Sequence, residues 1–295
     1  MILIFGKQGQ LARSFQASEP GSLSSQVVFV SSQEANFEQP GRLAGFLDHQ
    51  GPRIVVCCAA YTQVDRAEEE RDLASKINFE APREIARWCA QNEALMIHFS
   101  TDYVFPGTGV TPWKETDPTG PVNWYGETKL QGEEAIRASG CRHLIFRTSW
   151  VVSEYGRNFI KTMLQLGRNR ETLRVVSDQV GAPTYAPDLA EAVWGLILRV
   201  ESGEALKSGV YHLAGQGETN WADFARAIFE EAGKLKLELA VKNVESIPTS
   251  QYPTPAHRPL NSRLDQSKAR DALGVELPVW HKSLELCLKR IRSQG

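Results

Sequence analysis

Short apolar runs alternate with helical patterns through the first half of the chain. ILIF (2–5), VVFV (27–30), IVVCCAA (54–60), LMIHFS (95–100) and HLIFRTSWVV (143–152) read as strands. Between them stand a helical pattern from about Gln10, GRLAGFLDHQ (41–50), NFEAPREIARWCAQNEA (78–94) and YGETKLQGEEAIRAS (125–139). Pro82 predicts a break or a bend in the third of these helices. Strands separated by helices predict an α/β fold, a doubly wound and mostly parallel sheet with crossover helices. After residue 152 the rhythm loosens. NFIKTMLQLGRNR, PDLAEAVWGLILRVE (187–201) and TNWADFARAIFEEAG read as helices, the last opened by Thr219 or Asn220 and closed by Gly233. LRVVSDQ and GVYHLAG (209–215) read as strands, and a proline-rich loop, YPTPAHRP (252–259), precedes two short helices. These later elements predict a smaller α/β lobe. Residues 1–176 are expected to form the first domain, with helix 187–201 packed on it, and 177–295 mainly the lobe.

Composition adds limits. The 295 residues are 42% hydrophobic and 23% charged, enough for a core shared by two such units. A formal charge of -2 gives no reason to expect nucleic acid or an anionic membrane as a partner, so an acidic substrate needs a local basic cluster. The five cysteines lack metal-ligand spacing and read as reduced thiols, and no metal ligand set is expected. The opening MILIFGKQGQ enters a strand directly, with no basic leader, and no apolar run reaches the ~20 residues of a membrane span. The expected location is the cytoplasm.

Two stretches carry chemistry. GKQGQLA (6–12) follows the first strand and opens a helix, where Gly6 and Gly9 permit a tight turn against a pyrophosphate and the helix N-terminus supplies amide donors. A plain strand-to-helix turn is the competing reading. After the second strand, Ser31 and Ser32 stand where an acid often binds the adenosine ribose, and Arg13 follows the glycine loop. That pattern admits a 2′-phosphate, hence NADPH, with NADH as a second possibility. The other stretch is Tyr125 and Lys129, four residues apart and so on one helix face. A phenol with a pKa near ~10 is a weak acid unless a neighbouring cation stabilises its phenolate, which a lysine one turn along can do. A hydroxyl at a strand end, Thr101 or Ser100, completes a grip on a carbonyl oxygen.

With these residues in place, the chain resembles the extended short-chain dehydrogenases/reductases, which have a Rossmann-type fold, and within them the dTDP-4-dehydrorhamnose reductases. The motifs are GKQGQLA, CCAAYTQVDRAE (57–68), STDYVFPG (100–107), YGETKLQGE (125–133), RTSWVV (147–152), DQVGAPT (178–184) and YPTPAHRPLNSRL (252–264). The resemblance implies NAD(P)H-dependent reduction of the C4 ketone of a dTDP-4-keto-6-deoxy sugar. It assigns catalysis to Thr101, Tyr125 and Lys129, and substrate contacts to Thr101, Asp102 and Trp150, with Arg258 facing either the diphosphate or a surface carboxylate. It assigns cofactor contacts to Gly9, Gln10, Leu11, Asn36, Phe37, Ala60, Tyr61, Thr62, Phe99, Tyr125 and Lys129. Trp150 has a competing reading as core, and Asp102 as a turn cap. Three positions depart from the family pattern: Cys57 replaces an asparagine, His257 an arginine, and Arg13-Ser14 stand where an acid helps some members form magnesium-linked dimers. Arg13 and Ser14 speak against a magnesium-bridged dimer, while magnesium itself and a homodimer stay open expectations. A nucleotide-sugar epimerase, a reductase of another sugar and a non-catalytic regulatory subunit of the same fold are the alternatives.

Overall fold

A computed structural model describes residues 1–294. Its first half runs β1 (Ile2–Phe5), α1 (Gln10–Ala17), β2 (Val27–Val30), α2 (Leu43–Gln50), β3 (Ile54–Cys57), α3 (Val64–Ala67), α4 (Arg71–Ser75), α5 (Ala81–Gln91), β4 (Leu95–Thr101), α6 (Trp124–Ala138) and β5 (Arg142–Thr148). The remainder runs β6 (Val151–Val152), α7 (Phe159–Gly167), β7 (Thr172–Val176), β8 (Val180–Gly181), β9 (Thr184–Tyr185), α8 (Ala186–Glu201) and β10 (Gly209–His212). It ends with β11 (Thr219–Asn220), α9 (Trp221–Lys234), β12 (Asn243–Ile247), α10 (Ser267–Leu273) and α11 (Trp280–Gln294). No helix among the described residues is long and apolar enough to cross a membrane.

Six strands form one parallel sheet in the order β10–β5–β4–β3–β1–β2, the doubly wound Rossmann-type arrangement expected from the sequence. Winding reverses between β1 and β3, which opens a crevice beyond the carboxyl ends of the strands. Both faces of the sheet are covered, which is why its strands read as continuous apolar runs. Ile4, Val56, Ile97, Phe99 and Phe146 pack with Phe15 of α1 and Trp194 of α8 on one face. Leu3, Phe5, Val55, Met96 and Ile145 pack on the other, with Leu47 of α2, Ile85 of α5 and Ile136 of α6. A third core joins Val152, Ile160, Leu173, Phe224, Ile228, Trp280 and Leu284 around the parallel pair β7–β12.

Several expectations are corrected. The run 143–152 is not one strand: Trp150 has φ +47°, so the chain turns left after β5 and Val151–Val152 pairs with β9 instead. The run 54–60 is strand only to Cys57. Strand β12 has a pattern too polar to signal itself, with only Val244 and Ile247 buried. Asn220 caps α9 by accepting from the Asp223 N–H, and the helix runs past Gly233 to Lys234. The last helix is fifteen residues long rather than short. At Pro82 the helix is not broken; one turn of π-helix, Lys76–Glu80, precedes α5. Pro82 has no N–H for the carbonyl of Asn78, four residues back.

The middle of α6 approaches that carbonyl closely. A Cβ on Gly132 would lie 2.3 Å from Asn78 O, so only glycine lets α6 settle at this depth. Gly195, exposed in α8, meets nothing within 4 Å. Chemical denaturation should therefore separate the two. Gly195→Ala should stabilise by about 0.5–1 kcal/mol, as alanine does in an open helix. Gly132→Ala should destabilise by ~1–3 kcal/mol through overpacking. Equal gains at both sites would contradict the close approach of α6.

Candidate active site

Loop 6–12 sits at the switch point. Gly6, with φ +92°, donates its N–H to Val30 O of β2, and a Cβ there would stand 2.8 Å from Ala59 N beyond β3. Gly9 begins α1, whose first turn holds no acidic residue and no side-chain cap, so its free amides face the crevice uncompensated. Gln10 is held from across the crevice: Ser153 Oγ and Asn158 Nδ2 donate to its Oε1 at 2.9 and 2.8 Å. Leu11 is half-buried behind it. Ser14 is buried, with its hydroxyl donated to Gln10 O.

Beyond β2, a cleft of about 440 Å³ is lined by residues including Ser32, Glu34, Asn36, Arg42 and Phe46. An acid does stand here, three residues later than the position read from the sequence. Glu34 Oε2 accepts from both the N–H and the Oγ of Ser31, at 2.8 and 2.6 Å, and these bonds hold its carboxyl below the usual range. Phe37 is core, edge-on to Phe5 at 5.1 Å. Ala60 and Thr62 flank Tyr61, whose backbone is gripped at both polar groups by the buried Asn78 side chain. A left-handed glycine, open helix amides and an adjoining cleft with an acid and a base together fit a dinucleotide.

The stripe on α6 extends further than Tyr125 and Lys129. Asn123 caps the helix by accepting from the Gly126 N–H at 2.8 Å, which fixes where the first turn begins. Tyr125, Lys129 and Glu133 then follow at intervals of four, and Lys129 and Glu133 are fully buried. Burial raises the Tyr125 phenol well above its ordinary value, partly offset by the nearby Thr101 hydroxyl. No hydrogen bond joins Lys129 to Tyr125. The ammonium turns down to β4, donating to Phe99 O at 2.6 Å beside His98 Nε2 at 3.1 Å. Burial lowers Lys129 to about 8, against the pull of Glu133. Glu133 in turn accepts from Arg147 Nη2 at 2.7 Å and Nε at 3.0 Å, and from Ser100 Oγ. Of the two candidate hydroxyls, Thr101 is therefore the one beside the phenol. Ser100 belongs to the ion pair. Glu133 was legible as the next residue on the stripe; Asn78, His98 and Arg147 gave no signal in the sequence.

Thr101 Oγ1 donates to Asp102 Oδ1 at 3.0 Å, and accepts from the Tyr103 N–H. Asp102 is buried, its Oδ2 has no partner, and burial raises its carboxyl to about 6. Trp150 is half-buried and stacked on Trp221, ring centres 3.6 Å apart, with Gly181 against its edge. One face of the indole is thus taken by protein. Arg258 donates to Asp65 Oδ2 at 2.7 Å and to Tyr103 OH at 3.3 Å, and the Tyr103 ring is edge-on to Tyr125 at 5.5 Å.

The family model described as "RmlD substrate binding domain" matches residues 1–293. The dTDP-4-dehydrorhamnose reductase of Salmonella typhimurium is 43% identical over 295 residues, covering 99% of this chain and 97% of that protein. Its counterpart in Escherichia coli K12 is 44% identical over 292 residues, 98% of this chain and 97% of that one. Among solved structures, Bacillus anthracis dTDP-4-dehydrorhamnose reductase in complex with NADP superposes with a TM-score of 0.89 at 32% identity, covering 98% of each chain.

The Asp102 shift has a testable sign. Its folded value of about 6 exceeds the ordinary 3.8, so the folded state binds the proton more tightly, and stability falls as pH rises between these values. Asp102→Asn removes the penalty. Relative to wild type, the variant should gain up to ~3 kcal/mol on going from pH 4 to pH 7. A difference that is flat with pH would mean that the carboxylate is solvated.

Proposed function

The chain belongs to the dTDP-4-dehydrorhamnose reductases of the extended short-chain dehydrogenase/reductase family, and on that basis we propose that it reduces the C4 ketone of dTDP-4-dehydro-6-deoxy-L-mannose to dTDP-L-rhamnose with NADPH. The observation that carries the reading is the proximity of Tyr125 on α6 to Thr101 at the end of β4, with Lys129 buried one turn further along the same helix. NADPH, when bound, supplies the hydride to C4. This chain's residues handle the proton and the charge. The raised Tyr125 phenol stays protonated at neutral pH and gives its proton to the C4 oxygen as negative charge develops there. The Thr101 hydroxyl turns from Asp102 to donate to the same oxygen, and Lys129, one turn along α6, supplies the positive charge that favours the phenolate left behind. Trp150, half-buried and stacked on Trp221, offers its remaining exposed surface to the sugar, whose 6-methyl group gains from apolar contact. Arg258 exchanges Asp65 for the diphosphate. Five free thiols fit a cytoplasmic enzyme, the location we infer.

NADPH oxidation on the dTDP-4-keto-6-deoxy sugar tests the reading. Tyr125→Phe should lower turnover by roughly 10²–10⁴-fold while NADPH affinity changes little; near-normal turnover would remove the phenol from the chemistry. Trp150→Ala should raise the KM for the sugar nucleotide and also lower the melting temperature, because the same indole stacks on Trp221. Lost stability with an unchanged KM would return Trp150 to the core. At the adenosine end, Glu34→Gln should move preference from NADH towards NADPH by roughly tenfold, about 1.4 kcal/mol. An unchanged ratio of kcat/KM values would exclude Glu34 from cofactor choice.

A further inference from the structure

An ammonium has three N–H donors to place. In the buried Lys129 one goes to Phe99 O, and a second reaches towards His98 Nε2. His98 is buried in the middle of β4 on the face under α6, in register with Cys57 of β3 and Ile145 of β5. Burial, then the adjacent Lys129 charge, push the imidazole well below its ordinary pKa. The ring is therefore neutral, and Nε2 accepts. Its proton stands on Nδ1, which has no partner. An apolar side chain would leave no such orphan, so packing alone does not account for a histidine here.

We propose that His98 is a positioning residue for Lys129: its neutral Nε2 and the Phe99 carbonyl pin the ammonium to β4 and leave one N–H for the cofactor side of the crevice. The inference rests on the role given to Lys129 above. The other groups acting on this ammonium are Glu133 on α6 and Cys57 on β3, and Glu133 is itself held by Ser100 of β4 and Arg147 of β5. Arg147 and Ser100 are engaged with Glu133, and the Cys57 thiol is pushed up and stays neutral. His98 is thus the side chain that bonds the lysine directly. Removing this acceptor takes a hydrogen bond from the charged form, so the lysine should lose its proton at lower pH.

The test compares wild type, His98→Leu and His98→Gln, whose side-chain oxygen restores an acceptor. His98→Met stands in if leucine leaves no folded protein. NADPH affinity is followed by fluorescence from pH 6 to 10 without sugar, beside kcat profiles and melting temperatures. The apolar variant should lose NADPH affinity and kcat about one pH unit earlier than wild type, with kcat down roughly fivefold at pH 8. The KM for the sugar should be unchanged, and glutamine should return both curves towards wild type. Curves of the apolar variant that overlay wild type would overturn the proposal, as would a folded glutamine variant that restores neither. A wild type that binds NADPH but leaves the sugar unreduced would defeat the functional reading alone, because the NADPH titration still decides the role of His98.

Discussion

Lys129 carries a charge into a place that water does not reach, and the surroundings of α6 follow from the need to keep it there. An ion moved from water into protein costs several kcal/mol unless opposite charge and hydrogen bonds meet it. Here the compensation is layered. The Phe99 carbonyl and His98 meet the ammonium directly, Glu133 lies one turn further along the helix, and Arg147 and Ser100 from the sheet neutralise and orient Glu133. Arg147 also lies over the Phe105 ring, its guanidinium 4.9 Å from the centroid. Removing one member of such a network leaves its partner buried and uncompensated, typically at a cost of ~3–5 kcal/mol. The network therefore fixes α6 on β4 and β5, and through α6 the height of Tyr125 above the sheet.

The same constraint explains the backbone around it. The helix must approach closely enough for lysine and glutamate side chains to reach the strands. Gly132 allows this at Asn78 O, on the π-helical turn that precedes Pro82. Asn78 then uses its side chain to grip Tyr61 and the Thr128 hydroxyl, which ties the segment beyond β3 to α6. The glycine loop presses against that segment at Ala59. One chain of contacts thus runs from α6 to the glycine loop.

Much of this was legible in the sequence. The apolar runs at 2–5, 27–30 and 95–100 gave strands and, with intervening helices, the doubly wound sheet, because strands buried on both faces leave a continuous signal. Tyr125 and Lys129 announced themselves by spacing, since four residues is a property of the helix alone. What stayed hidden depended on other parts of the chain. Trp150 takes a left-handed conformation that bulky residues avoid, imposed where β5 hands over to β6, and no local pattern predicts it. His98 and Arg147 sit inside strands otherwise apolar, and their partners lie 31 and 14 residues away. Glu34 is separated from the serine it binds by only three residues, but the tight turn that joins them was not readable as such.

In the proposed reaction hydride goes to C4 of the sugar and the Tyr125 proton to the oxygen on it. Isotope placement in the product reads this directly. With NADPH carrying deuterium at the transferred position, NMR of the product should find one deuterium at C4 of the 6-deoxyhexose. With unlabelled NADPH in D2O, C4 should remain protonated, because the solvent-derived proton goes to oxygen. Deuterium from solvent at a ring carbon with no NADPH consumed, the mark of an epimerase, would contradict the account.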